Sequence, residues 1–343
     1  MKKVTLILML ACFGVMASAQ AQNAGEYMNV FSTEYSKIQQ DMWDYTSSVS
    51  HGKSARKVEK RRMELIQTSN TALNKAKSQK GFNGSTQYKD SVVEYLKIVN
   101  LVLKEDYAKI VDMEEIAENS YDLMEAYMTA REMASDKLVE ASKMVSREQK
   151  RFAEANNVTL IESESALDDK MEVAGKVYDH YNEVYLIFFK SYKQEAYLID
   201  AISKNDINAI EQNREALKTT AEEGLKKLEN VALYNNDRSL VVATMDLLKF
   251  YITEAEKETP KIADFILKSE NFNQIKAAFE KKSEKSRTQA DVDGYNKAVN
   301  EMNAAVNVYN ATNESLNKSR SKNIDNWNKT AQAFTDKHVP KGK

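Results

Sequence analysis

Cysteine is almost absent from this chain. The only one, Cys12, lies within the first 21 residues, so a chain shortened by those residues could form no disulfide. Stability must then come from a packed core, and about 320 residues are ample for one or two. Proline and glycine are scarce too: there are two prolines, Pro260 and Pro340, and nine glycines. Sheets need frequent turns, and turns need such residues. Long segments rich in Ala, Glu, Lys, Leu and Met predict an all-α fold instead. Histidine occurs three times, at His51, His180 and His338. Ser48, Val177 and Thr335 stand three residues before them, so the Glu-x-x-His pattern of di-iron bundles is missing. No His-x-x-x-His pair, Gly-rich phosphate loop, nucleophile elbow or dinucleotide fingerprint occurs. No metal, cofactor or ordinary enzymatic activity is expected. The carboxylates Asp112, Glu114, Glu115 and Glu118 cluster, but on a helix this reads as a solvated face.

Charge of one sign is lacking as well. The formal net charge is −2, and −4 without Lys2 and Lys3. Nucleic-acid binders carry a basic excess, so that partner class is set aside. The last stretch is locally basic, with Lys318, Arg320, Lys322, Lys329, Lys337, Lys341 and Lys343 facing Asp325 and Asp336. It reads as a solvated run, with contact to an anionic surface as the second reading.

No long apolar run is present beyond the N-terminus, the densest being Val184 to Phe189. The N-terminus itself, MKKVTLILMLACFGVMASAQAQ, has a basic start, a short apolar stretch and small-x-small sites at Ala17-Ser18-Ala19 and Ala19-Gln20-Ala21. Residues 1–21 are therefore read as a signal peptide, too short to span a bilayer. Met9-Leu10-Ala11-Cys12 suggests a lipoprotein box, but Phe13, Val15 and Met16 continue the apolar stretch, which reads against a lipid anchor.

What is present is helical periodicity. Leu167, Met171, Ala174, Tyr178, Tyr181, Tyr185, Phe188 and Tyr192 step by threes and fours, and Ala196, Ile199 and Ile202 continue. This predicts a long helix packed in coiled-coil fashion, capped at Ser163 or Ser165. A similar stripe runs through Tyr295, Val299, Met302, Val306, Tyr309, Leu316, Trp327 and Phe334, with Asn313 and Arg320 as polar interruptions. Residues 85–157 carry another, with a bend near Asn119-Ser120. Shorter helices are expected over 26–50, 54–78, 206–231 and 239–258. Breaks fall at His51-Gly52, Gly81 to Gly84, Asn156-Asn157, Asn205-Asp206 and Tyr234 to Asp237. The run 178–192, YDHYNEVYLIFFKSY, has two readings. One is a core in which tyrosine rings pack and their hydroxyls reach the rim. The other is a pocket for an apolar or aromatic ligand, lined by Tyr178, Tyr181, Tyr185, Phe188 and Tyr192. His180 reads as a partly exposed residue.

AKIVDM at 108–113 returns as PKIADF at 260–265, 152 residues later. At that offset, 45–127 and 197–279 share 16 of 83 residues, among them Tyr45/Tyr197, Arg62/Arg214, Asn83/Asn235 and Leu96/Leu248. The expected organisation is an internal duplication, with one helical unit over 22–158 and a second over 159–343. Thr259-Pro260 reads as a cap followed by proline, and so as a helix break in the second copy. Asp90-Ser91-Val92 matches a short bacterial O-glycosylation triplet.

The exported leader, EYMNVFSTEYSKIQQDMWDY and REQKRFAEANNVTL together resemble a poorly characterised family of exported helical surface proteins from Bacteroidetes and Leptospira. The resemblance implies a periplasmic or outer-surface location in a Gram-negative bacterium and supplies no catalytic residues. The expectation is an elongated all-α protein of the cell envelope that acts as a non-catalytic binding or scaffolding module. Its partner would be an envelope protein, a polymer or another copy of itself. The alternative is a carrier of a small apolar ligand. A helical pore-former ranks lower, because no apolar hairpin is present.

Overall fold

A computed structural model of the chain describes residues 19–51, 54–107, 113, 116–160 and 166–341. The leader to residue 18 with Cys12, residues 108–112, Glu114, Glu115 and the caps expected at Ser163 and Ser165 lie outside them. The fold is all-α. Among the described residues no helix is long and apolar enough to cross a membrane. The chain forms two compact units. One gathers the described residues to Asn182 together with 332–341, and the other is Glu183–Ala331. By compactness the chain divides at 182/183. Residues beyond 158 stay bound to the first unit: Gln39 Nε2 donates to Asp168 Oδ1 at 2.5 Å. His51 holds Asp336 at 3.0 Å and the Pro340 carbonyl at 3.3 Å.

The first unit runs through α1 (Ala19–Ser50), α2 (Ala55–Ser78), α3 (Gln87–Leu101), a π-turn (Val102–Asp106) and α4 (Tyr121–Ala155). α1 packs on α2, α2 on α3 and α3 on α4. The expected bend at Asn119-Ser120 is a full stop, because the Ser120 side chain accepts a hydrogen bond from Leu123 N and starts a new helix. α5 (Ala166–Ser203) begins in this unit and ends in the second. The second continues with α6 (Ile207–Leu228), a short turn (Tyr234–Asn236), α7 (Ser239–Thr253), a π-turn (Glu254–Glu258), α8 (Thr259–Glu280) and α9 (Gln289–His338) to Ala331.

Asparagine takes the left-handed positions in the turns between these helices. Asn83, Asn157, Asn205, Asn235 and Asn236 all have positive φ, between 48° and 59°. Their short amide side chains tolerate the left-handed conformation better than most residues do. After α4, Val158 N reaches back to Ala153 O at 2.9 Å, and after α5, Asp206 N reaches Ala201 O at 3.2 Å. These bonds satisfy carbonyls that a helix end would leave orphaned.

Three expectations need correction. Thr259-Pro260 does not break the chain: Thr259 is already helical, and its hydroxyl donates to Glu254 O at 3.0 Å across the π-turn. Proline is accommodated because a first-turn N–H needs no intrahelical partner. The buried seam of α5 also sits one position round from the predicted stripe. It runs through Ala174, Val177, Val184, Phe188, Ser191, Glu195 and Leu198, leaving Tyr178, Tyr181, Tyr185 and Tyr192 half-buried beside it. Tyrosine rings favour that rim because their hydroxyls keep access to polar partners. His180, expected to be partly exposed, is buried against Phe334.

Asn83 and Asn235 are exposed, so their substitution probes backbone strain alone. Asn83→Ala and Asn235→Ala should each lower stability by about 1 kcal/mol in denaturant titration, and the glycine variants should not. Equal stabilities for the alanine and glycine variants would refute the role given to asparagine.

Candidate functional site

Aromatic side chains from three helices meet in the core of the first unit. Tyr35 comes from α1, Tyr88 and Tyr95 from α3, and Phe152 from the end of α4. Tyr88 and Phe152 lie 5.0 Å apart between ring centroids, Phe31 and Tyr88 5.4 Å, and Tyr35 and Tyr95 6.1 Å. Large rigid rings do not fill every space between helices, and two clefts remain. The first is lined by Phe31, Tyr35, Ala72, Tyr88, Val92 and Val145 among others. The second is lined by Ile38, Met42, Val99, Leu138, Leu167 and Met171 among others. Tyr35 and Tyr95 line both.

A few polar groups sit in this apolar setting, the usual make-up of a ligand site. At the first cleft, Glu34 Oε1 accepts from both Lys37 Nζ and Lys75 Nζ, each at 2.8 Å. Burial raises the Glu34 carboxyl, but the two ammonium groups outweigh it and hold the carboxyl below its usual range. Ser142 and Gln149 are buried in the opposite wall. At the second cleft, burial and the neighbouring Asp169 push Asp168 up to about 6, against the hydrogen bond from Gln39. Between the clefts, the buried Tyr35 hydroxyl makes no hydrogen bond of good geometry, although Tyr95 and Gln39 lie close to it. Burial raises its pKa well above the ordinary phenol value.

The second unit buries a cluster of charged side chains. Arg320 of α9 donates through Nε to Glu195 of α5 and through Nη2 to Glu254 of the π-turn, both at 2.5 Å. Both carboxylates are buried, at 2% and 1% exposure, so they share one guanidinium out of water. Burial first, and then the Glu195 charge, push Glu254 up to about 8 despite Arg320. A protonated Glu254 leaves the cluster neutral. The buried Tyr251 hydroxyl lies beside both carboxylates. Arg320, grouped above with a solvated basic run, is therefore part of the core.

The five residues of the aromatic run are divided between the two units. Tyr178 and Tyr181 belong to the first unit and make an edge contact at 6.3 Å. Tyr185, Phe188 and Tyr192 pack in the second unit with Phe189 and Trp327. Phe188 stacks on Trp327 at 4.2 Å, and Trp327 Nε1 donates to Thr244 Oγ1 at 2.9 Å. None of the five lines either cleft. Sequence reasoning passed over Tyr35, Tyr88 and Tyr95, which are too far apart in the chain to form a run. Ser91 of the glycosylation triplet lies in α3 and donates to Tyr88 O at 2.7 Å. Glu118 is the one member of the acidic cluster among the described residues.

Compared with known proteins, the chain matches no family model, no curated protein and no solved structure.

The Glu254 shift predicts a pH dependence. Because its folded pKa is raised, its contribution is complete below the ordinary carboxylate pKa and is lost as pH rises through about 8. Asp168 acts in the same direction at lower pH, so the range from pH 7 to 9 isolates Glu254. Thermal melts of the native chain should fall in Tm over that range, and Glu254→Gln should flatten the slope. Identical slopes would remove the assignment. Arg320→Ala, which leaves two carboxylates facing each other, should cost about 3 kcal/mol.

Proposed function

We propose that this chain is an exported, non-catalytic helical binding protein of the bacterial cell envelope, and that its first unit carries a small apolar ligand. The leader at 1–21 motivates export. The observation that carries the ligand reading is the paired cleft around Tyr35 and Tyr95, apolar in lining and edged by a few polar groups. The site moves from the aromatic run at 178–192 to the space among α1, α3 and α4.

The two units descend, on this reading, from one duplicated helical unit. Support comes from elements that recur at the 152-residue offset. α3 at Gln87–Leu101 and its π-turn at Val102–Asp106 have counterparts in α7 at Ser239–Thr253 and the π-turn at Glu254–Glu258. Asn83 and Asn235 share a positive φ, 49° and 48°. Arg62 pairs with Glu59 as Arg214 pairs with Glu211. The copies have diverged in content: Tyr35, Tyr88 and Tyr95 stand where the second copy has Ile187, Leu240 and Leu247. In the second copy Gly224 sits so tightly against Leu248 and Ile187 that a Cβ would fall 2.8 Å from Leu248. Coiled-coil-like packing of the long helices fits the seven-residue spacing of the buried Ala298, Ala305 and Thr312 on α9.

Native mass spectrometry of the protein isolated from its own envelope fraction tests the function. A retained small-molecule mass, lost when Val92 or Ser146 is enlarged to Trp but kept in Phe188→Ala, is the expected result. A bare polypeptide, or only an integer multiple of it, would favour scaffolding or self-association over the carrier reading.

A further inference from the structure

An arginine withdrawn from water normally reaches an oxygen acceptor, because its guanidinium is always charged and carries five N–H donors. The half-buried arginines among the described residues follow that rule with one exception. Arg61, Arg62, Arg214 and Arg320 hold glutamates, and Arg287 donates to the Phe279 carbonyl. Arg131 of α4 is half-buried as well, yet it makes no ion pair or hydrogen bond among the described residues. Its guanidinium lies 5.6 Å from the ring centre of Tyr127, one turn back on the same helix. Contact with a ring face steadies the guanidinium and leaves its N–H edge open to an acceptor.

Tyrosines from other elements of the first unit gather round this charge. It acts on Tyr45 of α1, on Tyr107 just after the π-turn, and on Tyr178 and Tyr181 of α5. The Tyr45 and Tyr107 rings meet edge to face at 6.1 Å. All four tyrosines are half-buried. Burial pushes Tyr45 and Tyr181 up to about 12 despite the guanidinium, so these phenols are neutral donors at ordinary pH. Tyr178 is hydrogen-bonded with Ser50, whereas the hydroxyls of Tyr45 and Tyr107 have no hydrogen-bond partner among the described residues. The carboxylates next in sequence, Glu132 and Asp179, act on each other, and neither pairs with Arg131. The cluster is thus rich in donors and has no anionic acceptor of its own. We infer that Arg131, with the hydroxyls of Tyr45 and Tyr107, forms a binding site for a tetrahedral oxyanion, a phosphate or sulfate group. Donors arrive from α1, from the π-turn and from α4. That spread suits an anion with oxygens on several sides, whereas a planar carboxylate is satisfied by the guanidinium fork alone. None of these residues lines either cleft, so the site is independent of the apolar-ligand reading.

The test is titration of the full chain with sodium phosphate, sodium sulfate and sodium acetate at constant ionic strength, with chloride as the balancing anion. Millimolar concentrations stay below the range of general salt stabilisation. Phosphate and sulfate should raise the melting temperature, because they bind the folded state, and acetate should do so much less. In the native chain phosphate should also slow phenylglyoxal modification of Arg131, followed by peptide mass mapping. Arg131→Gln should remove the stabilisation. Tyr107→Phe, which keeps the ring and deletes the hydroxyl, should weaken phosphate binding about tenfold. Helical circular dichroism establishes that both variants are folded. Phosphate that neither raises the melting temperature of the native chain nor protects Arg131 would overturn the site. Equal phosphate binding in the native chain and in a folded Tyr45→Phe, Tyr107→Phe double variant would overturn the part given to the hydroxyls. Acetate as effective as phosphate would overturn the tetrahedral assignment.

Discussion

Three tyrosines set the character of the first unit. Tyr35, Tyr88 and Tyr95 put rings into a helical core where aliphatic side chains would close it. An aliphatic core reaches high density because its branched side chains interdigitate. A phenol ring is flat, has few rotamers and keeps its hydroxyl toward a polar neighbour. Helices held apart by such rings leave slots between them, and the slots become clefts where no smaller side chain fills in. At one end the rings close on each other: Tyr27, Phe31, Phe82, Tyr88 and Phe152 pack within about 5 to 6.5 Å, and the Tyr27 hydroxyl donates to Lys80 O. Beyond that closure the packing loosens around Tyr35 and Tyr95.

The second unit meets the same architectural problem with different residues. Leu240, Leu247 and Leu248 are fully buried in its core. Its unusual feature is the buried pair of carboxylates on Arg320. Such a cluster is a costly way to build a core, because each ion must leave water. Its position at a π-turn matters, since the extra residue of a π-turn re-aims the side chains around it. The π-turn of the first unit instead carries the apolar Val102 and Leu103, both fully buried.

Much of the fold was legible in the chain. Helix breaks at Asn83, Asn157, Asn205 and Asn235 could be read because asparagine tolerates positive φ, and Ser120 was marked by its position before a helical run. The π-turns could not be read, because one extra residue in a helical turn leaves no mark in the apolar spacing. The break between α8 and α9, with its turn at Glu284–Ser286, escaped for want of proline or glycine. The site was hidden for a different reason. Tyr178 to Tyr192 form a dense local run, and density drew attention to them, whereas the cleft is made by single rings on separate helices. Arg320 did leave a trace, as a lone charge in an apolar stripe. Its partners Glu195 and Glu254 were invisible, since nothing local distinguishes a buried glutamate from a solvated one.

The central claim is that ligand binds along α1 in the first unit. Photo-crosslinking with a small apolar diazirine probe, followed by peptide mass mapping, measures this most directly. The account predicts labelling at Met42, Leu138 and Met171. Labelling confined to Tyr185 through Tyr192, or spread evenly over the surface, would contradict it.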